Sequence, residues 1–238
     1  MTVLLALDSS TESMALALSG PQGRWFFEAE GGARASETLV PETLALLARA
    51  GLQLTDVDAI GFGRGPGAFT GLRTACAVAQ GLAFGAGKPV LALDSLLLVA
   101  EDARQQAQAA GEAPLDSIWV AMDARMGEIY AGGYAHENGR WRVLSAPALY
   151  SPEALLERWR ETPPAALCGS ALAVFAGLQE RAARCWPQTR SRAAALAVLA
   201  EAAWAQGLQL DAAEAQPLYV RDKVALTTQE RLAARAPA

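Results

Sequence analysis

Short apolar runs separated by turn residues open the chain and predict strands. Residues 3–7 are apolar and end at Asp8, a pattern typical of a buried strand. Residues 14–18 and 25–28 predict two more strands, and the Gly-Pro-Gln-Gly turn between them predicts a hairpin. The amino-terminal part of the chain therefore begins with a three-stranded unit.

Longer periodic segments then alternate with further strands. Residues 36–50 predict a helix with Ser36 as its N-cap and Gly51 after its end. The pattern continues with a strand at 57–63, a helix at 70–84, a strand at 90–93 and a helix at 95–110. Residues 111–114 contain glycine and proline and predict a hinge.

The same order of elements starts again after the hinge. Residues 118–122 are apolar and end at Asp123, and strands at 128–135 and 141–146 follow, joined by a turn at 136–139. A Gly-Arg-Trp triplet stands at residues 23–25 and again at 139–141. A helix at 152–160, a strand near Leu167 and a closing helix at 191–206 extend the parallel.

This repetition predicts a duplicated β-β-β-α-β-α unit, and hence an α/β protein of the two-lobed actin-like ATPase (ASKHA, RNase H-like) class. We expect one lobe at residues 1–110, a second lobe at 111–226 and a flexible tail at 227–238. In that class the strand-ending aspartate and its hairpin hold nucleotide phosphate and magnesium in the cleft. The likeness is one of fold and does not establish an activity.

Composition narrows the function classes. The chain has 238 residues, 52% of them hydrophobic, which is enough for a substantial core. Its net charge of -5 disfavours direct binding to a phosphate backbone, so any action on nucleic acid is expected to use a partner. Three cysteines without a CxxC pair favour buried thiols in a reducing compartment. A single histidine, His136, excludes a two-histidine metal site and disfavours a Ser-His-Asp triad.

Location follows from the same bulk features. The first predicted strand begins almost at Met1, which leaves no room for a signal peptide. No apolar run approaches the roughly 20 residues that a membrane-spanning helix needs. We therefore expect a cytoplasmic protein with no membrane association.

Two segments could hold an anion or a nucleotide. Asp8, Ser9 and Ser10 place a carboxylate and hydroxyls at a strand end, where they could orient a phosphate or simply form a hydrogen-bonded turn. Residues 63–73, Gly-Arg-Gly-Pro-Gly-Ala-Phe-Thr-Gly-Leu-Arg, join a strand to a helix and are either an anion-binding loop or a tight connection. The candidate contacts in this loop are Gly65, Gly67, Thr70 and Arg73.

Two helices of the first lobe carry more apolar or small residues than one buried face requires. Leu39, Val40, Leu44, Leu46 and Leu47 spread around much of the helix at 36–50. The next helix has two rows of small residues, which implies close neighbours on two sides. These helices are either deeply buried or part of an interface, and we favour an interface.

These motifs together resemble the TsaB (YeaZ) family over nearly the whole chain. The resemblance rests on Leu-Ala-Leu-Asp-Ser-Ser-Thr at 5–11, Gly-Pro-Gly-Ala-Phe-Thr-Gly-Leu-Arg at 65–73, Asp-Ala-Arg-Met-Gly-Glu-Ile-Tyr at 123–130 and Pro-Leu-Tyr-Val-Arg at 217–221. It implies the two-lobed actin-like fold. It also implies a part in forming threonylcarbamoyladenosine next to the anticodon of tRNAs that read codons beginning with A.

The resemblance further implies partners and a division of labour. TsaD carries the metal and transfers the threonylcarbamoyl group, TsaE is an ATPase, and tRNA is reached through the complex. The chain itself is then a non-catalytic activating subunit that binds TsaD or a second copy of itself through its first lobe. The implied contacts are Leu39, Thr43, Leu46, Leu47, Leu72, Ala75, Cys76 and Ala79.

The resemblance also bears on which cofactors the chain binds and on which other functions remain open. TsaD relatives hold their metal with an HxxxH pair on the first helix, whereas the corresponding residues 35–39 contain no histidine. We therefore expect this chain alone to bind no metal or cofactor, while the complex uses ATP, magnesium and the metal of TsaD. The alternatives are a metallopeptidase-like enzyme or a small-molecule kinase of the same fold.

Overall fold

A computed structural model describes residues 2–221 of the chain. In chain order its strands are β1 (Leu4–Asp8), β2 (Ser13–Gly20), β3 (Gly23–Glu30), β4 (Ala59–Gly65), β5 (Val90–Asp94), β6 (Ser117–Asp123), β7 (Ile129–Glu137), β8 (Arg140–Tyr150), β9 (Ala166–Cys168), β10 (Arg184–Trp186) and β11 (Gln209–Leu210). The helices are α1 (Ala35–Arg49), α2 (Phe69–Ala86), α3 (Ser95–Ala109), α4 (Pro152–Glu161), α5 (Ala171–Val174) and α6 (Arg192–Ala205).

Two sheets repeat one topology. The first has the order β11-β5-β4-β1-β2-β3 and the second the order β10-β9-β6-β7-β8. In each, a three-stranded antiparallel meander is extended by two strands parallel to its first strand. The predicted duplication is confirmed, and the protein has the two-lobed actin-like α/β fold. The second copy is reduced, since α5 has four residues where α2 has eighteen.

The last helix of each copy packs against the sheet of the other copy. α3 ends the first copy, yet Val99 and Ala103 pack against Ile118 and Tyr134 of the second sheet. α6 ends the second copy and packs against the first sheet, and β11 then pairs with β5. These exchanged helices tie the two lobes together.

The exchange corrects the expected domain boundaries. Residues 192–210, placed by sequence in a second lobe at 111–226, belong to the first sheet and its helical layer. The reason is that α6 is apolar around most of its circumference, and the open face of the first sheet needs a cover. The expected flexible tail at 227–238 lies outside the described residues, as do residues 222–226.

Most element boundaries lie within about two residues of the predicted ones, but β8 continues past residue 146 to Tyr150, and the capping of α1 differs from the prediction. α1 begins at Ala35, and its N-cap position is Arg34, whose side chain makes no capping bond. Ser36 is therefore inside the helix and is not its N-cap. A short 3-10 turn at Gly32–Arg34 runs directly into α1, so the helix begins before the serine.

The residues expected to contact a partner lie inside the first lobe. None of the eight is more than 5% exposed, and they are Leu39, Thr43, Leu46, Leu47, Leu72, Ala75, Cys76 and Ala79. α1 and α2 lie on one face of the first sheet, so their most apolar stripe packs on Leu16 and Phe62. The expectation that these side chains form the partner interface is therefore wrong. Within residues 2–221, no helix is long and apolar enough to cross a membrane.

Candidate functional site: the cleft between the lobes

Asp8, the strand-ending aspartate that was expected to hold phosphate or a cation, is buried at the carboxyl end of β1. Its Oδ2 atom accepts hydrogen bonds from Arg192 Nη2 at 2.7 Å, Arg192 Nε at 3.2 Å and Ser10 Oγ at 3.0 Å. Its Oδ1 atom accepts from Ser95 Oγ at 3.3 Å. Arg192 Nη2 also lies 3.0 Å from Ser10 Oγ. The carboxylate is thus neutralised and hydrogen-bonded by the chain itself.

The loop between β1 and β2 packs directly on the glycine-rich loop. The N–H of Ala68 donates to the carbonyl of Ser10 at 2.7 Å, and Ser9 Oγ donates to the carbonyl of Gly71 at 2.8 Å. A Cβ atom at Gly67 or Gly71 would overlap the carbonyl oxygen of Ser10 or Ser9. These glycines therefore allow close backbone packing, which contradicts the expected use of Ser9, Ser10 and Gly67 as an anion-binding surface.

Gly65 serves a different contact. Its φ of +116° lies in a region that favours glycine, and a Cβ there would come within 2.7 Å of the Leu218 carbonyl oxygen. Its N–H donates to Ser95 Oγ at 3.0 Å. Gly65 is thus committed to internal contacts and not to a bound phosphate.

Thr70 and Arg73 lie on the exposed side of the first turns of α2, away from the internal contacts of Asp8. The Arg73 guanidinium lies 3.9 Å from the ring centroid of Phe69, and its Nε donates to the Tyr219 hydroxyl at 3.0 Å. The two aromatic rings are 5.3 Å apart. Arg73 therefore has an aromatic and hydroxyl environment at the rim of the cleft.

Arg192 is held in place by carboxylates from two other elements. Ser191 is the N-cap of α6, and Glu28 of β3 accepts from Ser191 Oγ at 2.9 Å and from the N–H of Ala193 at 2.8 Å. Asp102 of α3 accepts from the N–H groups of residues 190 and 191, the shorter distance being 2.8 Å. The N-terminus of α6, which would otherwise attract an anion, is thus occupied by the protein's own carboxylates.

Sequence reasoning did not identify Arg192. The sequence does contain a pattern that could have indicated it. Arg192 is a lone charge at the start of a helix that is otherwise apolar until Glu201. Such a residue at the first turn of a buried helix needs a buried partner. Which carboxylate supplies it depends on a contact across 184 residues, which no local pattern specifies.

Residues 217–221, which we call the C-terminal strap, cross from one lobe to the other at the mouth of the cleft. The N–H of Leu218 donates to the carbonyl of Arg64 at 2.7 Å in the first lobe. Arg221 Nη2 donates to Glu128 Oε2 at 2.6 Å and to the carbonyl of Ala124 at 3.0 Å in the second lobe. The strap therefore connects the two lobes through hydrogen bonds near both of its ends.

The turn that receives the strap has an unusual backbone. Arg125, Met126 and Gly127 have φ values of 63°, 56° and 75°, the left-handed region that costs non-glycine residues about 1 kcal/mol or more each. The turn aims Arg125 back across the cleft, where its guanidinium contacts Glu12 of the first lobe and Asp123. Arg125 and the strap therefore bridge the lobes at separate points.

A cavity of about 630 Å³ remains between these bridges. Ser10, Leu72 and Arg192 line it on the first lobe, and Met122 and Tyr130 line it on the second. Its charged groups are already engaged in contacts within the chain. Among residues 2–221, no group of three or more His, Cys, Asp and Glu side chains is arranged to hold a metal ion.

A second buried polar pair joins the lobes behind the cleft. The Tyr134 hydroxyl of β7 donates to Asp94 Oδ2 at the end of β5 over 2.7 Å, and the same Asp94 caps α3 through the N–H of Leu96. Burial raises the pKa of Asp94 above its usual value, and burial followed by the nearby Asp94 charge raises the pKa of Tyr134. Tyr134 therefore stays a hydrogen-bond donor throughout the ordinary pH range.

The cysteines are not arranged as nucleophiles. Burial raises the pKa of the Cys76, Cys168 and Cys185 thiols. A thiol with a raised pKa is protonated at neutral pH and reacts poorly. All three are free; Cys76 and Cys168 are buried, as expected, whereas Cys185 is only half-buried.

The outer face of the two first-lobe helices is apolar and exposed. Val40 and Leu44 of α1 are 37% and 50% exposed, and Phe84 of α2 is 81% exposed. Ala77 and Gly81 of α2 are exposed small residues on the same helix. We call these five residues the outer α1/α2 face. They lie on the side of α1 and α2 opposite the residues that pack on the first sheet.

Comparison with known proteins places these features in a family. Residues 31–229 match the family described as TsaD, tRNA N6-adenosine threonylcarbamoyltransferase. The tRNA threonylcarbamoyladenosine biosynthesis protein TsaB of Haemophilus influenzae is 31% identical over 93% of this chain and 94% of its own length. The Escherichia coli protein of the same name is 31% identical over 93% of this chain and 96% of its own length. The chain belongs to the TsaB family.

Solved structures of TsaB-family proteins have the same fold. YeaZ from Pseudomonas aeruginosa superposes with a TM-score of 0.77 and 35% identity, covering 92% of this chain and all of that one. A second structure, described as an uncharacterized protein with similarity to peptidase YEAZ from Pseudomonas aeruginosa, gives a TM-score of 0.81 at 34% identity over 93% of this chain. The two-lobed arrangement is therefore that of the TsaB family.

Proposed function

We propose that this chain acts in tRNA threonylcarbamoyladenosine biosynthesis as a non-catalytic, activating subunit. Two relatives that align with this chain over nearly their whole length are named for that process. The proposal that the chain is non-catalytic rests on one observation in the cleft. The Asp8 carboxylate is neutralised by Arg192 and is therefore not open to a metal-bound substrate. A subunit of this kind works by holding another protein in its active shape.

The outer α1/α2 face is the surface we propose for docking. Leu44 and Phe84 are large apolar side chains left in water, and two small residues of α2 beside them would let a partner helix approach closely. The occupant we propose is TsaD, with a second copy of this chain as the occupant when TsaD is absent. The buried residues first expected to form this contact instead hold the two helices on the sheet.

The remaining parts of the assembly are proposals of the same kind. TsaE would join as the ATPase, tRNA would be bound through the complex, and ATP, magnesium and the metal of TsaD would serve the chemistry. We further propose that the protein works in the cytoplasm, where the tRNA is modified. The net charge of -5 supports the view that a partner makes the main tRNA contact.

The rival functions lack a supporting observation. A metallopeptidase needs a set of metal ligands, and residues 2–221 contain no such cluster of three. A kinase of this fold needs a carboxylate free to act on a metal–phosphate complex, whereas Asp8 is held by Arg192, Ser10 and Ser95. Neither alternative explains the exposed apolar face.

The test is reconstitution. TsaD, TsaE, threonylcarbamoyl-adenylate, ATP with magnesium and tRNA are combined with and without this chain, and modified adenosine is measured. We expect modification to require the chain, and the chain alone to produce none. Modification that proceeds equally without the chain, or by the chain unaided, contradicts the proposal.

Two variants test the docking face by co-elution with TsaD. Leu44→Glu and Phe84→Glu place a charge on the outer α1/α2 face and should abolish co-elution with TsaD while leaving the thermal transition of the free chain intact. Val143→Glu is the matched control, because Val143 is 51% exposed but lies on β8 of the second lobe. Retained co-elution of both α1/α2 variants would exclude this surface.

A further inference from the structure

The cleft holds an internal ion pair at the position where its fold class uses a metal ion. The Asp8–Arg192 pair is almost completely shielded, with 0% of the carboxylate side chain and 6% of the guanidinium side chain exposed. Removing one member of such a pair leaves a buried uncompensated charge, which is strongly destabilising. Arg192 is therefore a structural counter-ion for Asp8.

The neighbours of Asp8 have the chemistry of a cation site. Ser10 Oγ and Ser95 Oγ lie 3.0 Å and 3.3 Å from the two carboxylate oxygens. Oxygen atoms of carboxylates and hydroxyls, together with water, are the ligands that magnesium and manganese accept. Arg192 and Ser10 both line the cleft cavity, so the space left by a shorter side chain would open to solvent.

The anion side of the site is filled in the same way. Glu28 and Asp102 occupy the N-terminus of α6, so both the cation and the anion that this cleft could bind are supplied by the chain. The internal cation and the internal anions are connected, because the Glu28 and Asp102 carboxylates fix the helix whose first residue is Arg192. This internal pairing explains the closed network without reference to any partner protein.

We propose that Arg192 is a built-in cation that takes the place of a divalent metal ion beside Asp8, and that this one side chain decides that the cleft binds no such ion. Replacing it with an uncharged residue turns Asp8, Ser10 and Ser95 into a weak divalent-cation site. This inference shares the Asp8–Arg192 pair with the non-catalytic part of the proposed function, but its test measures cation binding by the chain and not tRNA modification.

The test compares thermal unfolding of the full chain in MgCl2, in MnCl2 and in NaCl of matched ionic strength. Arg192→Met should lower Tm in NaCl, and millimolar divalent cation should raise the Tm of this variant by about 3 °C or more. The wild-type Tm should not respond. Manganese binding by the variant, followed by electron paramagnetic resonance, should appear with the same concentration dependence.

Two controls separate a metal site from general effects. In Asp8→Asn/Arg192→Met both charges are gone, so Tm should exceed that of Arg192→Met and should not respond to divalent cation. Arg221→Met removes another arginine that lines the cleft, one whose partner Glu128 is 38% exposed, and should also show no response.

The outcomes decide the question even if Arg192→Met folds poorly. Recovery of its folded state in manganese, with a folded double variant, supports the proposal. The proposal is overturned if Arg192→Met does not respond to divalent cation, if wild type responds equally, or if the double variant is less stable than Arg192→Met alone.

Discussion

Arg221 Nη2 lies 2.6 Å from Glu128 Oε2, although 93 residues separate the two along the chain. The same nitrogen donates to the carbonyl of Ala124, and the guanidinium lies 5.7 Å from the ring centroid of Tyr130. One side chain thus satisfies a carboxylate, a carbonyl and an aromatic face of the second lobe. It does so from a strap whose other end is bonded to the first lobe.

The first prediction concerns this contact. Arg221→Ala should lower the free energy of unfolding by about 1–3 kcal/mol, because charge-assisted bonds between the lobes are lost. Arg221→Lys should recover only part of the loss, since an ammonium cannot reproduce the planar contacts of a guanidinium. Urea unfolding measures both. Wild-type stability in Arg221→Ala would show that the strap is not a lobe connection.

The second prediction uses two neighbouring leucines of α1. Leu46 is 1% exposed and Leu44 is 50% exposed. Leu46→Glu should destabilise the chain by about 4 kcal/mol, since it buries a charge without a partner, whereas Leu44→Glu should change stability by less than about 1 kcal/mol. Circular dichroism melting curves of the two variants give the comparison. Equal effects would contradict the assigned orientation of α1.

The third prediction compares two glycines of α2. Gly71→Ala should destabilise by about 3 kcal/mol, because its Cβ would overlap the carbonyl oxygen of Ser9. Gly81→Ala has open space around its Cβ and should stabilise the helix by about 0.5–1 kcal/mol. Opposite signs in chemical denaturation are the expected result. A neutral Gly71→Ala would disprove the close packing of the two loops.

The fourth prediction concerns the buried pair between the lobes. Tyr134→Phe should cost about 1–3 kcal/mol, because the buried Asp94 carboxylate loses a donor. Tyr130→Phe is the control, since its hydroxyl makes no hydrogen bond within residues 2–221 and its loss should be nearly neutral. Both are measured by thermal unfolding at pH 7. A control that loses as much stability as Tyr134→Phe would refute the assignment.

The fifth prediction uses the single histidine. Burial, followed by the charge of Arg104, lowers the pKa of His136 below 6.5, so its imidazole should titrate below that value in an NMR titration. Because the folded pKa is the lower one, the unfolded chain binds more protons below about pH 6.5, and stability falls as the pH decreases through this range. Above it the contribution of His136 is complete.

Arg104→Gln provides the check on that cause. Removing the cation should raise the pKa of His136, and Glu101, which accepts two hydrogen bonds from Arg104, remains as a charge acting in the same direction. An unchanged or lower pKa in Arg104→Gln would show that Arg104 is not responsible for the shift.

The chain's own pattern determined the order of its elements. Strand-ending aspartates at 8 and 123, the paired hairpins and the alternation of strands with helices predicted the duplicated fold, because local apolar periodicity and turn residues encode secondary structure directly. The motifs at 65–73 and 123–130 identified the family. The single histidine excluded a two-histidine metal site, and the net charge of -5 disfavoured direct binding to a phosphate backbone, both from sequence alone.

Tertiary structure decided which face of each element is buried and which distant groups meet. Leu46 and Leu44 look alike in sequence, but only packing on the sheet makes one core and the other surface. In sequence the glycines at 67 and 71 fit an anion-binding loop and a tight connection equally. The backbone of Ser9 and Ser10, packed directly against them, decides for the tight connection. Arg192 meets Asp8 only because α6 crosses back to the first sheet, and contacts across such sequence distances depend on the energy of the whole packed chain.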